Sequence, residues 1–295
     1  MGVYHAGSRA VQDRVGVREF ADHVGRSVGQ GIGPVAAAFL ELQPLLVLGA
    51  ADPATGRVWA SPVTGSPGFV RATGPRQMSV RAAVRPSDPL ATALGTPGTP
   101  AGTLALDPRT RRRMRLNGRL RPTAQGFAVE ADRVFSNCPK YLQRRESYET
   151  VAGRRPGTPR HGTELTPEQT EFVARADTFF VTTVHPAGVE TSHRGGNPGF
   201  VRVDSPHRLS WRDYPGNSMF LTLGNLAADP RAGLLFLDWT TGTALQLTGE
   251  ARTEFAADGE RRVRFTLTEA VGTEAAVPLR WSAPGYSPAN PDPAV

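Results

Sequence analysis

The chain has 295 residues, of which 39% are apolar and 21% charged, and a formal net charge of +7. That length allows two modest domains with cores of their own, and a mean hydropathy of −0.31 suits a soluble globular protein. No apolar run approaches the ~20 residues of a membrane helix, no basic segment with an apolar core opens the chain, and one cysteine excludes an internal disulfide, so the expected location is cytoplasmic.

The positive charge is almost all arginine: Lys140 is the only lysine, and it stands beside the only cysteine in Cys138-Pro139-Lys140. An ammonium is a compact point donor where a guanidinium is a planar fork, so a single lysine among many arginines merits notice.

In chain order, residues 1–33 read as a polar, glycine-rich N-terminal arm with a short helix at 15–28. A helix over 34–42 opens on Pro34, whose fixed φ suits a first turn. Strand patterns follow at 45–49, 58–61, 69–71 and 77–80, broken by Asp-Pro, Thr-Gly and Gly-Pro pairs. After a loop at 95–102 and a strand at 103–106 comes an arginine-rich hairpin, 109–121, expected to turn at Asn117-Gly118 because both residues accept positive φ. A strand at 127–135 runs into Asn137-Cys138-Pro139-Lys140-Tyr141, and 151–163 reads as a linker.

The second half repeats the first. A helix at 166–176 precedes strands at 178–184 and 189–194, and a further helix is expected near Asn217. Ser66-Pro67-Gly68-Phe69-Val70-Arg71 recurs as Asn197-Pro198-Gly199-Phe200-Val201-Arg202, and the segment Gly102 to Arg109 as Gly224 to Arg231. These recurrences predict a tandem duplication, with repeats at 34–150 and 164–295. About six strands in each ~120-residue unit close most simply into a small barrel, so the fold class is mainly β, with short helices and two barrels packed as a pseudo-dimer. Ser192-His193-Arg194-Gly195-Gly196 stands where the first copy has Ser61-Pro62-Val63-Thr64-Gly65, so an anion site is expected in the second copy.

Ser192, His193 and Arg194 can grip a phosphate with hydroxyl, imidazole and guanidinium donors, while two glycines allow close backbone approach; the plainer reading is a strand end with a solvated arginine. Asn217, Thr222, Gly224 and Asn225 offer hydrogen bonds to phosphate, ribityl or a ring edge, or simply begin and end a helix. Tyr214 packs or stacks beside them. Arg111, Arg113 and Arg115 alternate along one strand face. With no aromatic platform between them, a solvated face is a better reading than a nucleic-acid surface. No spacing fits a metal site, a nucleophile elbow, a phosphate loop or a dinucleotide fingerprint.

The second half, through Ser192-His193-Arg194-Gly195-Gly196-Asn197-Pro198-Gly199-Phe200-Val201, Asp213-Tyr214-Pro215-Gly216-Asn217, Thr222-Leu223-Gly224-Asn225-Leu226 and Asp229-Pro230-Arg231, resembles the pyridoxamine 5′-phosphate oxidase-like, FMN-binding split-barrel proteins. Leu279-Arg280-Trp281 fits as well, and Trp59-Ala60-Ser61 with Cys138-Pro139-Lys140 is similar to the first copy of tandem members. The resemblance implies FMN between two split barrels, a redox reaction on a small-molecule substrate with an electron donor or acceptor, and a chain that works as a monomeric pseudo-dimer or a homodimer. It also implies that Cys138 and Lys140 reach the neighbouring barrel's cofactor, with Arg280 and Trp281 at the matching place in the second copy. The Arg-Lys pair of authentic oxidases is replaced here by Leu221-Thr222, and relatives on this fold also handle deazaflavin or haem or bind flavin without known chemistry, so the alternative is a non-catalytic flavin-, deazaflavin- or haem-binding protein of the same fold. No acid/base pair stands out, so no catalytic residue is assigned.

Overall fold

The computed structural model describes residues 2–82, 84–186 and 188–291. The chain opens with α1 (Ala6–Val15), α2 (Arg18–Gly25) and α3 (Pro34–Glu41), followed by β1 (Leu45–Ala51), β2 (Val58–Thr64), β3 (Val70–Gly74) and β4 (Gln77–Val80). Then come α4 (Ala91–Gly95), β5 (Pro100–Asp107), β6 (Arg112–Thr123), β7 (Gly126–Ser136), β8 (Tyr148–Thr150) and β9 (Arg160–Gly162). The second copy runs through α5 (Pro167–Arg175), β10 (Thr178–His185), β11 (Gly188–Gly195), β12 (Val201–Ser205) and β13 (Arg208–Arg212). It continues with α6 (Leu221–Ala228), β14 (Arg231–Leu237), β15 (Ala244–Phe255), β16 (Arg261–Thr273) and β17 (Leu279–Trp281).

The two large sheets are antiparallel and share one topology: β2-β1-β5-β6-β7-β4-β3 in the first and β11-β10-β14-β15-β16-β13-β12 in the second. These are two tandem split β-barrel units packed as a pseudo-dimer. Their central strands are apolar on both faces because each lies between its own core and the seam. Leu46 and Leu48 of β1 point into the first core, while Leu45 and Val47 join Leu104, Phe180 and Leu235 in a cluster shared by both copies. Phe179 and Val181 of β10 likewise face the second core. Local chemistry sets the helix starts: α5 has a capping box in which the Gln169 amide donates to Thr166 Oγ1 (3.2 Å) and the Thr166 amide to Gln169 Oε1 (3.1 Å).

Three expectations from sequence are corrected. The helix expected at 15–28 is the shorter α2, and an unexpected helix, α1, precedes it and ends where Gly16 takes the left-handed conformation (φ 72°). Asn117-Gly118 is no turn; β6 runs straight through it with a register shift. The Asn117 amide is drawn to Glu190 of the other copy, and a side chain at Gly118 would collide with the Glu130 carbonyl. The second sequence recurrence pairs a strand, β5, with a helix, α6; by sheet order β5 corresponds to β14 instead. The first recurrence does coincide in space, since Gly68 and Gly199 share φ 90° just before β3 and β12.

The registers fix the equivalences. Gly49 of β1 faces Gly102 and Ala60, and Thr182 of β10 faces Gly233 and Thr191. Gly102 and Gly233 therefore match, and both lie where the copies touch. A Cβ on Gly102 would stand 2.7 Å from Thr191 N, and one on Gly233 2.6 Å from the Val58 carbonyl oxygen. Among the described residues no helix is long and apolar enough to cross a membrane.

Because backbone cannot yield as a side-chain tip can, Gly102→Ala and Gly233→Ala should each lower unfolding free energy by about 1–3 kcal/mol in urea titrations. Gly95→Ala, where a Cβ meets nothing within 4 Å, serves as the control with a change of at most about 0.5 kcal/mol. Neutral seam variants would contradict the close packing of the copies.

Candidate functional site

At the seam, one end of β11 meets the start of β6, the end of β7 and the segment before α6 around an open-mouthed pocket. Its walls carry five cations, Arg113, Arg115, Lys140, Arg194 and Arg212, against one carboxylate, Asp213.

The charges are unevenly matched. Arg115 crosses the seam to Glu190 (2.6 Å), with the two side chains only 8% and 3% exposed, and Asn117 donates to the other Glu190 oxygen. Asp213 lies 3.0 Å from Arg261 and 3.7 Å from Arg194, so it serves two cations. Arg212 pairs with Glu260 at the mouth. Arg113 and Lys140 have no carboxylate partner among the described residues. The hydrogen bond Arg113 makes is to His193 Nδ1, at 2.9 Å. Burial, then repulsion from Arg115 and Arg194, holds the Arg113 guanidinium down to about 9. Burial, then Arg113, drives His193 well below the ordinary histidine range. Arg194 is lowered by burial, partly offset by Asp213.

Several buried polar atoms here lack partners among the described residues: Nε of Arg113, of Arg115 and of Arg194, and Nε2 of His193. Buried donors are ordinarily satisfied, so this concentration marks a place built for an acceptor. The backbone adds more. The expected helix near Asn217 begins at Leu221, because Ser218 (φ 56°) and Phe220 (φ 52°) both sit in the left-handed region. Asn217 Oδ1 accepts from the Met219 amide (3.2 Å) rather than capping the helix, so α6 starts with no side-chain cap, and Leu221, Thr222 and Leu223 line the pocket. An uncapped helix N-terminus turned to a cationic pocket favours an anion.

Of the residues expected from sequence, His193, Arg194, Tyr214, Asn217, Thr222, Cys138 and Lys140 line this pocket. Ser192 lies just behind it, 3.1 Å from Thr222 Oγ1 and 3.2 Å from Arg194 Nη1. Tyr214 packs on Tyr141 with ring centroids 5.1 Å apart, and the Tyr141 hydroxyl donates to the Pro215 carbonyl (2.8 Å). Four residues lie elsewhere. Gly224 is pressed against Ser8 of α1, and Asn225 bonds His5 (2.8 Å) and Thr183 (3.0 Å), because the N-terminal arm docks on α6. Arg280 pairs with Glu149 (3.1 Å) at the surface, and Trp281 packs edge-on against Trp239 (5.0 Å).

The solvated reading of the arginine strand is also corrected. Arg113 and Arg115 face the pocket and the seam, and Arg111 sits in the preceding turn with φ 53°. The sheet seam turns that face inward, which also removes the stripe a nucleic acid would need.

The sheet equivalences locate the matching place on the other side of the seam. There Pro62 and Val63 stand for His193 and Arg194, Trp59 for Glu190, and Ala244 and Gln246 for Arg113 and Arg115. Its polar groups satisfy one another: Gln246 donates to Ser61 (2.8 Å), and Ser61 to Asp88 (2.6 Å).

Residues 165–289 match the family model of pyridoxamine 5′-phosphate oxidase. The match spans the second copy, which is similar to the pyridoxamine 5′-phosphate oxidase-like split-barrel proteins. Among solved structures it is similar to HupZ of Group A Streptococcus (13% identity, TM-score 0.29, covering 35% of this chain and 89% of that one). It is also similar to a candidate pyridoxamine 5′-phosphate oxidase of Lactobacillus delbrueckii (16% identity, TM-score 0.32, 37% and 94% covered). A third is a FAD-binding protein of Mesorhizobium loti (12% identity, TM-score 0.29, 39% and 97% covered). No curated protein matches the chain.

The histidine environment has a consequence for stability. His193, and His185 (held down to about 4 by burial, then His5), stay neutral in the fold below pH 6.5 while the unfolded chain takes up protons. Stability is therefore unaffected by these groups above pH 6.5 and falls as pH drops toward 4. Urea titrations of His193→Gln should show a shallower loss between pH 6.5 and 5, the difference in slope rising to about 1.4 kcal/mol per pH unit at the acid end. A slope equal to wild type would contradict a neutral, buried His193.

Proposed function

We propose that this protein is an FMN-dependent oxidoreductase of the cytoplasm that binds one flavin mononucleotide per chain. The observation that carries the reading is the seam pocket, where Nε of Arg113, Arg115 and Arg194 and Nε2 of His193 are buried without partners and Arg113 has no carboxylate among the described residues.

The donor set fits a phosphorylated flavin. Arg113, Arg194 and the amides opening α6 suit a phosphoryl group, which wants several convergent N–H donors and net positive charge. Ser192 and Thr222 form a hydroxyl pair behind Arg194 that fixes its fork. Tyr141, Tyr214 and Met219 offer flat or apolar surface to a ring, and Lys140 at the mouth is free to meet negative charge. A bound flavin supplies hydride or electron transfer between a donor and a small-molecule acceptor, while the protein contributes binding, orientation and electrostatics. On this reading the functional unit is the whole chain: arm 1–33, first repeat 34–150 lending Arg113, Cys138 and Lys140, linker 151–163, and second repeat 164–295 lending the rest.

Titration of the purified protein with FMN, followed by quenching of flavin fluorescence, should saturate at one equivalent per chain. Arg194→Ala should weaken binding at least tenfold, about 1.4 kcal/mol, and riboflavin, lacking the phosphoryl group, should bind more weakly by a similar factor. Absence of FMN uptake would overturn the cofactor, and two equivalents per chain would overturn the single site.

A further inference from the structure

His193 and Arg113 belong to different copies and meet at the wall of the pocket. Arg113 Nη1 lies 2.9 Å from His193 Nδ1, while His193 Nε2 is buried and has no partner. A guanidinium has five N–H donors and no acceptor, so a hydrogen bond between these groups requires Nδ1 to be bare. A neutral imidazole carries one proton, which must then sit on Nε2. The alternative, an imidazolium, would set an N–H against an N–H and add a charge beside Arg113, Arg115 and Arg194. It is excluded by the same geometry. The result is an N–H donor, in a residue only 3% exposed, with no acceptor among the described residues.

We propose that Arg113 of the first copy holds His193 of the second as the neutral tautomer protonated at Nε2, so that the pair offers one oxyanion of a phosphorylated ligand an imidazole N–H beside a guanidinium. The proposal deepens the flavin reading and rests on it for the identity of the ligand, though not for the chemistry of the pair. Arg113 acts here both as a binding cation and as a positioning residue, because its contact with Nδ1 decides where the histidine proton resides. The opposite side of the seam, with Ala244 and Pro62 in these two places, can form no such pair. An N–H donor that is neutral also keeps its proton across the physiological range, so the cradle does not switch off when the solution becomes more alkaline.

The tautomer is directly observable. In protein labelled with 15N at its six histidines, the signals lost in His193→Gln assign those of His193. At pH 7 wild-type His193 should show a pyrrole-type Nε2 and a pyridine-type Nδ1. Arg113→Met, similar in length and uncharged, should move the pattern toward the Nδ1–H form or an average of the two. It should also weaken binding of inorganic phosphate, used as the probe, at least tenfold. A wild-type Nδ1–H tautomer, an imidazolium at pH 7, or a tautomer indifferent to Arg113→Met would overturn the proposal. The wild-type spectrum decides even if the variant does not fold. Nε2–H with phosphate binding but no FMN uptake would leave this inference standing and remove the flavin; FMN uptake with an Nδ1–H histidine would do the reverse.

Discussion

The buried ion pair between Arg115 and Glu190 is the contact on which the rest of the site depends. It spans the two copies at 2.6 Å, and Asn117 engages the remaining carboxylate oxygen. A charge buried without its partner would cost several kcal/mol, so the guanidinium, the carboxylate and the amide are viable only as a set. That set fixes the register of β6 against β11, and with it the position of every residue further along either strand. It also decides the electrostatics of the pocket. With Glu190 consumed by Arg115, the next arginine on the same face, Arg113, is left with a histidine for company and a surplus of positive charge.

Duplication explains the architecture, and divergence explains the site. The apolar faces of the copies have stayed equivalent: glycines at 102 and 233 admit the neighbouring strand, and Leu45, Val47, Phe180 and Leu235 fill the shared cluster. The polar faces have parted. One side of the seam has His193, Arg194, Arg113 and Arg115; the other has Pro62, Val63, Ala244 and Gln246, closed over an internal hydrogen-bond chain through Ser61 and Asp88. A symmetric pair of barrels would offer two alike pockets. This chain concentrates its charge in one, and the first copy serves that pocket by supplying Arg113 and the rim from Asn137 to Tyr141.

Much of this was legible in the sequence wherever the cause is local. The helix start at Thr166-Pro167, the proline start of α3, the strands β10 and β11 and the shared Pro-Gly turn before β3 and β12 depend on a few adjacent residues, and the structure has them. The misreadings share another cause. Asn117-Gly118 has strong turn chemistry, but a carboxylate 73 residues away holds Asn117 in a strand. Arg113 and Arg115 looked solvated because only the packed seam gives that face a neighbour. Gly224 and Asn225 looked available to a ligand until the arm laid α1 across them. Ser192, His193 and Arg194 could be singled out because the first copy lacks the last two, a comparison internal to the chain.

A crystal structure of the protein grown with flavin mononucleotide tests the central claim most directly. The account predicts one flavin per chain, lying between β11 and β6, with its phosphoryl oxygens within hydrogen-bond reach of Arg113, Arg194 or the amides that open α6, and nothing beside Pro62 and Gln246. Density for flavin at that opposite site, or a phosphoryl group turned out to solvent with Arg113 still facing only His193, would contradict it.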